Sequence, residues 1–460
     1  MNCYLFVDFG STNTKVTLID AEKEEIAGTA KAYTTVETDV MIGYKNAMEL
    51  LHKKTGTDYT VIKSLACSSA AGGLKIIAIG LVPELTSEAA KRAALGAGAK
   101  VIHTYSHNLN NGEAEEIVRS NADIILLAGG TDGGDSRCII HNAKMLTDYG
   151  VKIPVVVAGN KSAEDEIIAV FKNKVEYRIA ENVMPKINKL NVESARETIR
   201  DIFMHNIVHA KGMSNVESSI DNILMPTPAA VLKAAQVLSE GTDEQHGLGD
   251  LVIIDIGGAT TDIHSAADGD PTQGSVFLYG LPEAFLKRTV EGDLGMRYSL
   301  PTVAEVTGPH GIRHYLLKDY GFNIAEEVKK RNEHTDFISQ TEKDMAFDCA
   351  VAKVCADVSM SRHAGTLTPV YTGCGASFQQ EGKDLTKLPY IIGTGGILVY
   401  NPNYADIMKA CLFRQDDPYS LKPKSPKFLL DKEYILSAMG LLATEDAGMA
   451  IRILKKYLSE

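Results

Sequence analysis

No stretch of this chain reaches the ~18 consecutive apolar residues of a membrane-spanning helix, so no membrane segment is expected. The start runs from Met1 through Val7 into Asp8 without the positive n-region of a signal peptide, and a cytoplasmic location is expected. Cysteine is sparse. The seven are odd in number and widely spaced, with no Cys-x-x-Cys, which indicates neither a zinc ribbon nor a thioredoxin site. Cys349 and Cys355 lie six apart on a predicted helix and do not share a face, so a shared metal is not expected. Basic charge is in deficit: Lys plus Arg number 47 against 59 Asp plus Glu, for a net charge of −12. Such a chain is ill suited to non-specific nucleic-acid binding, whose affinity comes mainly from neutralising phosphates. The common nucleotide motifs are also missing. There is no G-x-x-x-x-G-K-[ST] loop, and no G-x-G-x-x-G follows the first strand. His205 and His209 have i,i+4 spacing but lack the zinc-protease Glu, since Asn206 follows His205.

What remains is ordinary globular composition, 45% hydrophobic and 23% charged in 460 residues, enough for about three domains at roughly 100–200 residues each. The opening reads as strands Tyr4–Asp8, Lys15–Asp20 and Glu25–Tyr33, then a helix near Met41–Lys53. From about 74 to 180, short apolar runs (Leu74–Ile79, Lys100–Thr104, Asp123–Ala128, Pro154–Ala158, Lys174–Ile179) alternate with helical stretches. That pattern predicts βαβ units and a buried parallel sheet, an inserted α/β unit. Residues 186–240 read as mainly helical, with Val192, Ala195, Ile199, Ile202 and Phe203 at helical spacing. Gly241–Asp250 reads as a linker and 282–297 as a charged loop. Helices are expected at 301–333 and 341–361, a strand at Leu388–Ile392, and closing helices Asp431–Leu442 and Thr444–Leu458 with Asp431 and Thr444 as N-caps. The division is 1–245, carrying the insertion at about 74–180 and helices to 240, and 246–460.

Glycine is above its average share of about 7%, at 39 residues, and much of it is clustered. Asp8–Val16 (DFGSTNTKV) and Asp255–Ile263 (DIGGATTDI) align, with Asp8 on Asp255, Gly10 on Gly257 and Thr14 on Thr261. This is an internal repeat of a strand–turn–strand. Glycine lets backbone approach a ligand closely, and successive N–H groups form an anion nest. Ser11, Thr12, Asn13, Thr260 and Thr261 add side-chain donors, and Gly258 and Ala259 complete the second turn. A carboxylate before each turn would repel phosphate unless a cation intervened, and Mg2+ resolves that conflict. The pattern thus predicts a triphosphate and Mg2+ clamped between two halves. A third cluster, Gly393, Thr394, Gly395 and Gly396, follows a buried strand and suits a nucleoside.

These residues resemble the actin/Hsp70/sugar-kinase ATPase superfamily: Asp8–Lys15 its first phosphate motif, Asp255–Asp262 its second, and Leu388–Ile397 its adenosine motif. The late helix with Ala438 and Gly440 resembles its second connecting helix. The implied fold is α/β, with two actin-like ATPase (ribonuclease H-like) domains around a nucleotide cleft and an inserted α/β unit. Over nearly the whole chain, DFGSTNTK, SSAAGGLK, LLAGGTDGGD, DIGGATTDIHS, TVEGDLGMR and YILSAMGLL resemble the glutamate mutase (methylaspartate mutase) accessory proteins, a family also called MutL after an unrelated repair protein. The resemblance implies an ATPase whose partner is glutamate mutase or a related adenosylcobalamin-dependent mutase, acting like the dehydratase reactivating factors. Asp8 and Asp255 would then hold hydrated Mg2+. Thr12, Lys15 and the turn amides would contact the β/γ-phosphates, and Gly257, Gly258 and Thr260 phosphate from the other side. Gly393–Gly396 would hold adenosine, and Asp255 or Asp262 would orient water. Asp262 and Lys15 equally suit a solvated strand end and a surface lysine. The cobalamin motif Asp-x-His-x-x-Gly is absent, as befits a helper. A small-molecule kinase on the same scaffold is the alternative. Gly129–Gly134 and the loop at 291–295 fit either plain turns or functional loops, and the oligomeric state is open between monomer and homo-oligomer.

Overall fold

The structure, a computed structural model, describes residues 1–10, 13–34, 40–69, 74–209, 220, 222–316, 318, 320–372 and 375–459. The side chains of 204–209, 222–224, 309, 310, 372, 375 and 376 fall outside that description. Contacts divide the chain into two compact units. One comprises Met1–Ala234, Gly280–Pro282 and Leu436–Ile453; the other comprises Ala235–Tyr279, Glu283–Ile435 and Leu454–Glu460.

The first unit opens with β1 (Asn2–Phe9), β2 (Asn13–Asp20), β3 (Glu25–Tyr33), α1 (Val40–Thr55) and β4 (Thr60–Ser68). Alternation along β1 sends Cys3, Leu5, Val7 and Phe9 into one core with Val16, Leu18 and residues Tyr44, Ala47 and Leu51 of α1. The insertion follows: β5 (Lys75–Gly80), α2 (Glu88–Gly96), β6 (Lys100–Ser106), α3 (Asn111–Arg119), β7 (Ile124–Leu127), α4 (Arg137–Asp148), β8 (Val155–Val157), α5 (Glu164–Phe171) and β9 (Tyr177–Ile179). Its strands are all parallel, in the order β6-β5-β7-β8-β9. Ala89, Ala93 and Ile199 cover one face, and Ile117, Ile139 and Ile167 the other. Such two-sided burial is why these strands are short continuous apolar runs. The chain returns through α6 (Glu193–His209), β10 (Asn222–Pro226) and α7 (Thr227–Glu240). The first sheet has the order β10-β4-β1-β2-β3, with β1–β2 and β2–β3 antiparallel and β1–β4 and β4–β10 parallel.

The second unit carries β11 (Leu251–Ile256), β12 (Thr261–Ala266), β13 (Val276–Leu278), β14 (Leu286–Glu291), α8 (Leu300–His314), α9 (Ile324–Glu333) and α10 (Glu342–His363). Then come β15 (Thr366–Thr372), β16 (Gly375–Glu381), β17 (Tyr390–Thr394), α11 (Gly396–Val399), α12 (Tyr404–Met408) and β18 (Lys427–Leu430). Helices α13 (Leu436–Leu442) and α14 (Ala447–Tyr457) close the chain. The main sheet runs β14-β12-β11-β17-β18, with β11–β12 and β12–β14 antiparallel and β11–β17 and β17–β18 parallel. This is the order and polarity of the first sheet. The repeated turn is therefore part of a repeated sheet, and the expected α/β, actin-like class holds.

Several local expectations change. Asn222–Pro226 is a strand inside the stretch read as helical, and Leu286–Glu291 is a strand inside the stretch read as a loop. Gly241–Asp250 is no open linker: Leu248 and Gly249 donate to the Leu238 and Ser239 carbonyls, folding the segment onto the end of α7. Residues 301–333 form two helices, and α8 itself is kinked at Gly308 (φ 67°). Asp446, not Thr444, caps the last helix, accepting from the Met449 N–H at 2.8 Å. The segment 436–453, read with the second half, packs with the first unit, α13 lying against β1 and β4.

Two buried histidines give the second unit a pH dependence. His363 exchanges hydrogen bonds with Ser265 Oγ (2.8 Å) and Thr289 Oγ1 (2.9 Å). Burial, then Lys287, holds its imidazole well below 6.5, and burial, then Arg288, holds His264 down to about 3. In the unfolded chain both rings take up a proton near pH 6.5; in the folded chain they stay neutral. The unfolded state binds more protons as pH falls, so this stability is present above about pH 6.5 and is lost below it. Urea unfolding between pH 6.5 and 5 is expected to lose up to about 1.4 kcal/mol per pH unit for each ring. A flat profile over that window would show that the rings are charged in the fold.

Candidate functional site

At the end of β1, the Gly10 N–H donates to the Asn13 carbonyl at 3.2 Å and closes the hairpin. A Cβ on Gly10 would lie 2.6 Å from that same carbonyl oxygen. Asp8 pairs in register with Lys15 and is buried. Its Oδ1 accepts from Thr227 Oγ1 at 2.6 Å and its Oδ2 from Ser437 Oγ at 3.2 Å, with Lys15 Nζ 3.7 Å away. Burial, with Asp8 second, pushes the adjacent Cys67 thiol well up. Thr227 and Ser437 escaped the sequence reading. Their signals are weak: a hydroxyl between two prolines at a helix start, and one inside the YILSAMGLL motif. Ser11 and Thr12 lie outside the described residues.

The second turn repeats the first. The Gly257 N–H donates to the Thr260 carbonyl at 2.9 Å. Its carbonyls are taken by the loop at 291–299: Gly257 O accepts from the Met296 N–H, Gly258 O from the Arg297 and Tyr298 N–H groups, and Ala259 O from Ser299 Oγ. Arg362 clamps that loop through Asp293 (2.8 Å) and Glu291 (2.5 Å). The EGDLG loop is thus the brace of the glycine turn. The N–H groups of Gly258 and Ala259 have no acceptor among the described residues, and both residues are exposed. Thr261 is buried and donates to the Leu294 carbonyl, so it serves the fold.

Asp255 stands opposite Asp262. Arg288 donates to Asp262 Oδ1 at 3.1 and 2.7 Å, and Thr260 Oγ1 donates to Oδ2 at 3.0 Å. The Asp262 carboxylate is thereby committed to a buried ion pair. On the parallel neighbour β17, Thr394 pairs with Asp255, and Gly395 (φ +96°) crosses so closely that a Cβ would sit 2.4 Å from Ile256 O and 2.9 Å from Asp255 Oδ1. The second and third glycine clusters therefore meet at adjacent strand ends. Gly393 is pressed on Met408 Sδ. Thr394 is buried and donates to Asp431 Oδ2 at 3.3 Å, while Asp431 Oδ1 accepts from the Ile435 N–H at 2.9 Å.

The Gly129–Gly134 cluster is explained by its own packing. Gly129, Gly130 and Gly133 have φ of 147°, 72° and 75°, and Gly159 packs against the Gly129 backbone. Asn160 donates to Gly134 O and accepts from the Gly133 N–H; Asn182 donates to Gly130 O and Asp132 Oδ1. An adjoining cavity of about 580 Å³ over the ends of β8 and β9 is lined by Asp132, Gly159, Asn160, Asn182 and Asn191, the last of which donates to Glu181. The His205 and His209 side chains lie outside the described ones. Among the described residues, no group of three or more His, Cys, Asp or Glu is placed to hold a metal, and no helix is long and apolar enough to cross a membrane. Cys3, Cys67, Cys138, Cys349, Cys355 and Cys411 are free thiols, all but Cys349 buried.

A duplicated sheet whose two copies each end in an aspartate-led glycine turn defines the actin-like class. Within it, the MutL protein family model matches residues 4–458, and the chain belongs to that family. Protein MutL of Clostridium tetanomorphum is 57% identical over 460 residues, covering 100% of this chain and 99% of that protein. Among solved structures, a nucleotide-free acetone carboxylase matches 96% of this chain and 70% of its own at 12% identity and a TM-score of 0.42. A glycerol dehydratase reactivase matches 97% of this chain and 100% of its own at 10% identity and a TM-score of 0.34. At such scores the family assignment rests on the sequence matches.

If Asp262 chiefly neutralises Arg288, Asp262→Asn will leave a buried guanidinium short of its partner, at a cost of about 3 kcal/mol. Chemical denaturation is the measurement, and unchanged stability would return Asp262 to the list of groups available for chemistry.

Proposed function

We propose that this protein is an ATP-dependent accessory factor that reactivates adenosylcobalamin-dependent glutamate mutase, binding and hydrolysing Mg-ATP to promote release of damaged cobalamin. The observation that carries the reading is the repetition of one anion-type turn. Both copies follow an aspartate, close with the same backbone bond and end the central strand of sheets with one strand order. The backbone amides of both turns take phosphate, and Gly395 and Gly396 take the nucleoside. Lys15 adds positive charge beside Asp8.

The donor set suits Mg2+, a hard ion that keeps most of its waters and needs only one or two carboxylates beside substrate phosphates. Asp8 and Asp255 are the residues that would hold it, and it would offset the charge of the triphosphate. Phosphoryl transfer to water requires positioning and charge stabilisation rather than a covalent nucleophile. Asp255 is the proposed orienter of water, since Asp262 is engaged by Arg288.

The test adds ATP, Mg2+ and adenosylcobalamin to inactivated glutamate mutase with and without this protein. Recovery only in its presence is expected; no recovery alongside intact ATP binding removes the reactivation reading. Asp255→Asn should abolish Mg2+-dependent hydrolysis with the fold intact, and wild-type turnover in it would refute the metal role. Gly258→Val should fold normally, because an added Cβ meets nothing nearer than the Tyr298 ring at 3.8 Å, yet lose ATP affinity. Unchanged affinity would count against phosphate at this turn.

A further inference from the structure

Most glycines of the two turns in the second unit are needed by the fold. Gly395 has a left-handed φ and presses on Ile256 O, Gly393 presses on Met408, and a Cβ on Gly257 would lie 3.0 Å from Thr260 O. Gly258 and Gly396 are different. Neither has a left-handed φ, and an added Cβ would meet only Tyr298 ring atoms at 3.8 and 3.9 Å for Gly258, and only Tyr434 Oη at 3.7 Å for Gly396. Each leaves open space faced by a tyrosine.

Beside Gly396 that tyrosine belongs to a pair. The rings of Tyr400 and Tyr434 lie 6.2 Å apart at 43°. Tyr400 ends α11, its N–H donating to Gly396 O, and its side chain is 67% exposed although it stands next to a buried strand end. Tyr434 is held at φ 55°, a costly conformation for a residue other than glycine. Strain of this kind persists where the surroundings over-determine it, often at ligand sites. Its turn is locked to the third glycine cluster, because Asp431 accepts from Thr394 and from the Ile435 N–H and donates its own N–H to Gly393 O. Burial, then the neighbouring Tyr400, Asp255 and Asp431, pushes the Tyr434 phenol up, so it stays a neutral donor.

We propose that Tyr400 and Tyr434 form the nucleoside wall of the site, the Tyr400 ring stacking on the base and the Tyr434 hydroxyl reaching across the open face of Gly396 to the sugar. The proposal rests on the ATP reading above and assigns two residues to it: Tyr400, just past the third glycine cluster, and Tyr434, the first residue of YILSAMGLL. An aromatic platform takes any base by its π-face, and its removal weakens binding about tenfold or more. Loss of one neutral hydrogen bond weakens binding a few-fold.

The experiment is calorimetric titration of the full chain with Mg-ATP, together with the ligand-free thermal midpoint. Tyr400→Ala is expected to raise Kd about tenfold with the midpoint unchanged, Tyr400→Phe to bind like wild type, and Tyr434→Phe to lose a few-fold in affinity. Unchanged Kd in Tyr400→Ala, or equal loss in Tyr400→Ala and Tyr400→Phe, overturns the platform while the ATP reading stands. A wild-type chain that binds no Mg-ATP removes both. Because Tyr434→Phe keeps the ring in its strained turn, a lowered midpoint in that variant would assign the hydroxyl to the fold and overturn its role toward the sugar.

Discussion

One backbone hydrogen bond, from a glycine N–H to the carbonyl three residues on, sets the geometry of both aspartate-led hairpins. It turns the chain within four residues, so the aspartate two positions earlier falls at the end of the central strand. It also fixes the residue type. In each copy a side chain on that glycine would run into the very carbonyl that accepts the bond, at 2.6 Å for Gly10 and 3.0 Å for Gly257. In the second copy the loop at 291–299 takes the turn's carbonyls. A turn whose carbonyls are occupied offers a ligand only N–H groups, so it can receive an anion and not a bare cation. The brace built by Glu291–Ser299 is therefore the reason the ligand proposed at this turn is an anion.

The same hairpin geometry poses an electrostatic problem that the two copies solve differently. Side chains directly opposite across an antiparallel pair share a face. In the first hairpin the partner of the aspartate is Lys15, and attraction is built in. In the second it is Asp262, and two carboxylates would repel. Arg288, on β14 opposite His264, reaches Asp262 and removes that repulsion. The same guanidinium also helps keep His264 neutral. Asp8 is also held by hydroxyls from two helix starts, Thr227 and Ser437.

Legibility in the sequence followed how local each signal is. The turn repeat and the parallel insertion were readable because glycine spacing and apolar runs are consecutive in the chain. Asn222–Pro226 was not: five residues ending in proline carry no strand period, and only pairing with Leu65–Ser68 makes them a strand. Leu286–Glu291 was obscured by Lys287, Arg288 and Glu291, charges that make sense only beside Asp262, Glu283 and Arg362. Thr261 and Thr394 looked like ligand donors because they are hydroxyls in glycine turns, yet both are buried and bonded within the fold. The sites of Thr227, Ser437, Tyr400 and Tyr434 depend on contacts far along the chain, which no spacing rule reaches.

Glycine is informative only after the fold has taken what it needs. A glycine with left-handed φ, or with backbone pressed on its Cα, is explained by folding, and its presence says nothing about a ligand. Gly129–Gly134 belongs to that kind: its conformations and its asparagine partners account for it, and the dense cluster that drew attention in the sequence needs no ligand. Gly258 and Gly396 are the remainder. An added Cβ would meet little at either position, and an alanine there would stabilise the fold by restricting the unfolded chain. Smallness that the fold does not use, at two points near the ends of adjacent parallel strands, is what supports placing the proposed nucleotide there. Open α/β sheets bind their ligands at the carboxyl ends of their strands, and those two gaps lie there.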